Sequence, residues 1–254
     1  MKNKTTFSSL ERGFSLLEMA VVLVILGFVL GALLLPLQAQ RNQLFQSQTE
    51  NTLEIAKKAL LGYAQSQGRL PCPATATGEL DPGSQGYANP TGGGTCNLPA
   101  GSIRYLPAAT LGIQPTDTNG FALDAWGNRI RYAVTQSENG GTATPDFTTT
   151  NDMNTVGITA LQPDIRVCAS STAANCTATI NLVNNAVAVI YSVGPTGKLA
   201  SGGADENENL NIGNVFVGHE PRSANDPNGE FDHIVTWISS YVLYNAMIEA
   251  GQLH

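Results

Sequence analysis

The stretch Gly13-Phe14-Ser15-Leu16-Leu17-Glu18 runs directly into Met19–Leu37, which reads MAVVLVILGFVLGALLLPL. That run holds no charge, and Gly27, Gly31 and Pro36 are its only helix-weakening positions. At about 1.5 Å per residue, the run with Phe14–Leu17 in front of it reaches across a hydrocarbon core of about 30 Å. Lys2, Lys4 and Arg12 come before it. The positive-inside bias therefore leaves the N-terminus in the cytoplasm and everything after Gln38 on the other side. A cleavable secretory signal has an apolar core of about 7–15 residues ending at a small-residue site. Here the core is longer, and Pro36-Leu37-Gln38-Ala39-Gln40 is a poor site. Glu18 is the exception at the edge of the run: an ionised carboxylate costs up to roughly 3 kcal/mol near mid-bilayer and less toward the interface. Such a residue needs a partner.

These residues carry a family likeness. Gly13-Phe14-Ser15-Leu16-Leu17-Glu18 followed by the apolar run resembles the processing site of type IV prepilins and of the pseudopilins of type II secretion. The resemblance implies cleavage after Gly13 by a prepilin peptidase and N-methylation of Phe14. It implies a leader at residues 1–13 and a transmembrane, polymerising helix at 14–37 that stays in the mature chain. The family's acidic position falls on Glu18, which would pair with the Phe14 ammonium of a neighbouring subunit. A buried charge is then favourable only in the assembled filament. Gly27 and Gly31 would let helix backbones approach one another. The implied partners are homologous pilin or pseudopilin subunits, the prepilin peptidase and an inner-membrane assembly platform. The implied location is the bacterial inner membrane, single-pass, with a periplasmic C-terminal domain, and then a filament.

Beyond Pro36 the chain turns polar but keeps helix-forming residues to Gln67, with Gly68 as the C-cap and Pro71 beyond. Leu53, Ala56, Leu60, Tyr63 and Ala64 fall at helical spacing and predict an apolar stripe over an amphipathic helix at 38–68. Unbroken from Phe14 to Gln67, this helix would reach about 80 Å. Pro36 predicts a kink or a local melt within it. The stripe lasts too few heptads for a coiled coil and fits packing on the chain's own outer domain.

The outer domain, residues 69–254, is rich in turn formers. The 254-residue chain holds 26 Gly and 13 Pro, and only 13% of it is charged, against about a quarter in ordinary soluble domains. Its net charge is −7, which becomes −9 without the leader and its Lys2, Lys4, Arg12 and Glu11. An acidic body disfavours a nucleic-acid partner. Runs rich in β-branched and aromatic residues predict strands at 101–106, 129–135, 164–169, 186–193 and 231–239, with a short helix at 240–253. The fold class that follows is α+β, a long N-terminal helix packed on an antiparallel sheet in a pilin-like manner.

Cys72, Cys96, Cys168 and Cys176 all lie on the outer side of the membrane, where disulfides persist. Order and spacing suggest Cys72 with Cys96 and Cys168 with Cys176, although four cysteines allow three pairings. Neither pair has C-x-x-C spacing, so a structural role is favoured over redox or zinc chemistry.

A second, patchier likeness lies in this domain. Asp124-Ala125-Trp126-Gly127-Asn128 resembles the D-x-W-G-N turn of the major pseudopilins. Tyr191–Gly197, Gly202–Glu206 and Phe231–Trp237 resemble their C-terminal calcium loop and closing strand. Long insertions separate the pieces and point to a minor or specialised subunit. The resemblance implies a calcium site at Asp205, Glu206 and Asp232, completed by backbone carbonyls toward the about 6–8 oxygens calcium takes. The competing reading is a solvated acidic loop, and no cofactor is required.

Enzyme signatures are missing. Gly194-Pro195-Thr196-Gly197-Lys198 lacks the first glycine of a phosphate loop and is followed by Leu199 where Ser or Thr is needed. His219, His233 and His254 have no H-E-x-x-H spacing, and no G-x-S-x-G elbow is present. A structural filament subunit of a type II secretion pseudopilus or a type IV pilus is therefore the leading reading. The alternative is a membrane-anchored, adhesin-type tip module that binds through the region of Tyr87–Cys96 and the insertion before Asp164.

Overall fold

The helix-forming stretch extends as a single element. In the computed structural model, which describes residues 15–76, 85–96, 102–141, 143–171, 176, 180–197, 202–211 and 213–254 but not the side chains of 32–39, α1 spans Leu16–Gln67. The helix does not melt at position 36, one of the two outcomes expected there; the Pro36 side chain lies outside the described residues. Gly68 ends the helix in a left-handed conformation (φ 67°), its N–H donating to the Ala64 carbonyl at 2.9 Å. Only a residue without Cβ adopts that conformation freely.

The chain divides into two compact units, 1–44 and 45–254, with the division inside α1. In the second unit the stripe is buried at Leu53, Ala56, Leu60 and Ala64, with Tyr63 half-buried. The four buried side chains share one core with Leu70, Tyr132, Val134, Ile190, Ile238, Leu243 and Met247. Burying a Leu side chain contributes about 1.5–3 kcal/mol. Tyr132 is fully buried, and its hydroxyl donates to the Pro71 carbonyl at 3.1 Å.

The remaining elements are α2 Ala108–Leu111, β1 Arg131–Val134, α3 Asp152–Val156, β2 Ile165–Cys168, β3 Asn181–Ser192, α4 Ala204–Leu210, β4 Val215–Val217, β5 Ile234–Ser239 and α5 Ser240–Glu249. The five-stranded sheet runs β1-β3-β2-β4, with β5 also on β3. The long strand β3 organises it. Ala188–Tyr191 pair with both β1 and β5, and the earlier half of β3 pairs with β2. These pairings are antiparallel, but β2 and β4 run parallel, Arg166 opposite Val215 and Cys168 opposite Val217. The sheet is thus mixed, which corrects the antiparallel expectation: β4 enters after α4, a connection long enough to reverse direction.

Residues 102–106 form no continuous strand. Tyr105 makes single bridges to Ala74 and Arg131, and Leu106 N–H donates to the Ile130 carbonyl. The expected strand at 231–239 starts only at Ile234, because Phe231 pairs back on Arg222. Cys72–Cys96 and Cys168–Cys176 are disulfide-bonded, each with Cα atoms 5.5 Å apart.

Candidate functional site

Two regions take up the residues singled out by the sequence. The first is the start of α1. Ser15 precedes the helix, and its hydroxyl and carbonyl accept from the Glu18 N–H at 3.2 and 3.1 Å. Ser15-x-x-Glu18 is the spacing of a capping box, in which an N-cap hydroxyl satisfies an orphan N–H and a Glu sits at the third helical position. Ser15 thus caps the helix, and Glu18 sits in its first turn, where the helix dipole favours a negative charge. From Leu16 to Gly31 every side chain is exposed, Leu16 at 90% and Phe28 at 77%. A Cβ added at Gly27 or Gly31 would meet nothing within 4 Å. The two glycines, four apart, lie on one helix face and leave it flat. Gly13 and Phe14 lie outside the described residues. Among the described residues no helix is long and apolar enough to cross a membrane. The rest of the apolar run, 32–37, is helical backbone whose side chains are not described.

The second region gathers carboxylates. Asp205 and Glu206 are in the first turn of α4, not on a loop as the resemblance to a calcium loop implied. Adjacent helical residues point about 100° apart, and the two diverge. Asp205 accepts from Ser171 N–H at 2.6 Å and faces His219 Nε2 at 3.0 Å and the Arg222 guanidinium. Although burial opposes ionisation, the Ser171, His219 and Arg222 hydrogen bonds hold its carboxyl down at about 2. His219 turns Nδ1 to the Glu220 carbonyl at 2.7 Å. Both ring nitrogens thus face oxygens of neighbouring residues. Asp205 is committed to Ser171, His219 and Arg222, which removes it from the proposed calcium set.

Glu206 turns the other way. One oxygen each of Glu206 and Asp232 and one ring nitrogen of His233 lie within 4.8 Å of one another. Glu206 Oε1 accepts from Asp232 N–H at 2.7 Å. Burial, together with the charges of Asp232 and Glu230, raises the Glu206 carboxyl to about 7. Asp232 Oδ2 accepts from Thr196 N–H at 2.9 Å and from its hydroxyl at 2.5 Å, while Oδ1 is buried with no hydrogen-bond partner among the described residues. Crowded carboxylates and an unanswered buried oxygen are what a hard cation relieves. Glu206 and Asp232 therefore fit calcium.

His233 fits calcium less well, being a nitrogen donor beside an oxygen-seeking ion. The Asn209 amide donates to the Val217 carbonyl at 2.9 Å, accepts from Val217 N–H at 2.7 Å, and sets Nδ2 against His233 Nδ1 at 3.2 Å. That contact assigns the imidazole proton to Nε2. Burial, aided by Arg131, lowers the His233 pKa to about 3 and keeps the ring neutral.

The D-x-W-G-N turn holds this region in place. Asp124 accepts from Trp126 N–H (3.0 Å), Asn128 N–H (2.7 Å) and the Ser192 hydroxyl (2.6 Å), and Asn128 donates to the Gly194 carbonyl at 2.7 Å. Gly194 has φ 63°, and a Cβ there would come within 2.4 Å of the Asp232 carbonyl oxygen. This position therefore requires glycine.

Comparison with known families finds one match, to the prokaryotic N-terminal methylation motif over residues 8–34. The chain carries the N-terminal methylation motif. This is the signal motif of type IV pilins and pseudopilins, and it marks a structural pilin-type precursor, not an enzyme family. No curated protein and no solved structure matches the chain. The methylation motif covers Gly13, Phe14, Glu18, Gly27 and Gly31 and ends before Pro36. It implies processing by a prepilin peptidase, anchoring in a membrane and assembly with other pilin subunits. Sequence reasoning missed Ser15, whose S-x-x-E spacing was readable, and His233, Asn209 and Thr196, which only the folded chain brings to Glu206 and Asp232.

Proposed function

We propose that this chain is a pilin-like structural subunit, cut after Gly13, methylated on Phe14 and assembled through α1 into a type II secretion pseudopilus or a type IV pilus. The observation that carries the reading is the methylation motif at residues 8–34, set on a helix whose apolar side chains are exposed all round. A helix apolar on every face needs lipid or other helices around it. In this reading the subunit waits in the bacterial inner membrane with its C-terminal domain in the periplasm until an assembly platform draws it into the filament. Gly27 and Gly31 admit a neighbouring backbone, and Glu18 meets the Phe14 ammonium of the next subunit and fixes axial register. The helix packed into a sheet-containing core is the arrangement expected of a pilin head.

Calcium belongs to the same proposal, held by Glu206 and Asp232 with backbone carbonyls and positioned by Thr196. Bound there, it would lock α4 to the start of β5. A thermal shift on adding calcium that Glu206→Gln abolishes would support this role, and an identical response in the variant would remove it.

The deciding experiment is the intact mass and N-terminal peptide of the membrane-extracted protein from cells with and without prepilin peptidase. A chain starting at methylated Phe14 only when the peptidase is present is the expected result. A chain still starting at Met1, or cut after Leu37, would overturn the reading.

A further inference from the structure

Arg104 and Arg131 set two guanidinium groups side by side. Arg129 pairs with Asp117 at 2.7 Å and Arg222 with Asp205, but Arg104 and Arg131 have no ion pair among the described residues. They are neighbours: Tyr105 bridges Arg131, and the Arg104 carbonyl accepts from Tyr132 N–H at 3.2 Å. Both line one cavity of about 40 Å³, together with Ser102, Tyr191, Asn211 and Phe216. Arg104 Nε is buried without a hydrogen-bond partner. Burial lowers the pKa of Arg104, and the ionisable group that both arginines influence is Tyr191. Tyr191 accepts a hydrogen bond from Arg131 but gives the pair no counter-charge, because its own O–H is donated to the Asn209 carbonyl at 2.6 Å and burial pushes its ionisation upward.

A half-buried cation without an opposite charge is costly unless something else supplies one. The guanidinium fork matches a carboxylate through two parallel hydrogen bonds. The volume sets the size of the guest. A water needs about 10–15 Å³ of such space, so the cavity takes a group of about three heavy atoms, a carboxylate head and no more. Phosphate is larger. Arg131 also lines an open cavity of about 290 Å³ with Tyr105, Asn128 and Arg129. That gives room for the chain on either side of an inserted side chain.

We infer that the Arg104–Arg131 cavity is a recognition slot for one carboxylate, presented by an Asp or Glu side chain of a partner protein. The slot lies on the second compact unit and is independent of how the N-terminal helix assembles, so failure of the peptidase experiment would leave it standing.

The test uses the full chain in non-ionic detergent, labelled with 15N-arginine, at constant ionic strength set with chloride. Its probes are acetyl-Gly-Glu-Gly-amide, the Gln isostere of that peptide, acetate and inorganic phosphate. The Nε–H signals of Arg104 and Arg131 should move saturably with the Glu peptide and not with the Gln peptide. Arg104→Gln should weaken binding at least tenfold. Arg131→Lys, which keeps the charge but loses the fork, should weaken it less and guards against a folding defect in the first variant. Equal response to the Gln peptide, insensitivity to both substitutions, or tighter binding of phosphate would overturn the assignment. Response to acetate without response to the Glu peptide would overturn the protein source and leave a site for free small acids.

Discussion

The two ends of α1 are built from equally good helix formers and meet opposite surroundings. Between Leu53 and Ala64 the stripe Leu53, Ala56, Leu60 and Ala64 recurs every three or four positions and is buried in the core, while Glu54, Ile55 and Lys58 are exposed. Between Met19 and Gly31 no polar residue interrupts the apolar run, and every position is exposed. The contrast teaches that helix formation and burial are separate facts. Periodicity says that a helix has one inside face. Its loss within an apolar run says that the inside must come from other molecules.

The sharpest way to break this contrast is to truncate one leucine in each half. Leu60→Ala should destabilise the folded chain by about 2–5 kcal/mol in denaturant unfolding, whereas Leu23→Ala should leave the same transition in place. Equal losses would mean that the first half is packed against the chain itself. Next in size, Cys72→Ser with Cys96→Ser should cost about 3 kcal/mol in the same measurement, because that bridge secures the segment that follows the buried half.

A third test uses pH. The Asp205 carboxyl is depressed to about 2 in the folded chain. Its stabilisation is therefore present above the unfolded value near 4 and is lost as pH falls toward 2, about 2 kcal/mol over that window. Asp205→Asn should flatten acid unfolding there, and an unchanged acid limb would show that the His219 and Arg222 contacts contribute nothing. The smallest effect is the most telling. Gly27→Ala meets open space and should leave the isolated chain unchanged or stabilise it by up to about 1 kcal/mol, yet reduce incorporation into filaments in a shearing assay. Normal incorporation would remove the role of that flat face.

Much of this was legible in the sequence. The cores of β1, β2, β3 and β5 lay within clusters of β-branched residues, and the stripe on α1 announced its buried side. The parallel pairing of β2 with β4 was not legible, because Val215-Phe216-Val217 is too short to register as a strand and its partner lies about fifty residues away. Helix α4 was hidden for a different reason. Gly202-Gly203 and the Asn residues at 207 and 209 look like a loop, and the helix is stabilised by what its side chains do elsewhere, Asn209 on Val217 above all. Reading α4 as a loop put Asp205 and Glu206 in one site. A helix sends neighbouring residues in different directions, and the structure gives one to His219 and Arg222 and the other to Asp232.

The Asn209 amide has one more consequence. Strand β4 closes one side of the sheet, and an open strand edge is a template on which another chain can add. By donating to the Val217 carbonyl and accepting from its N–H, the amide occupies the two groups an incoming strand would seize. On the opposite side, Tyr105 does the same for β1 at Arg131. Two points on the sheet's margins are thus already taken up, which leaves a neighbouring copy fewer free backbone groups there on which to add a strand.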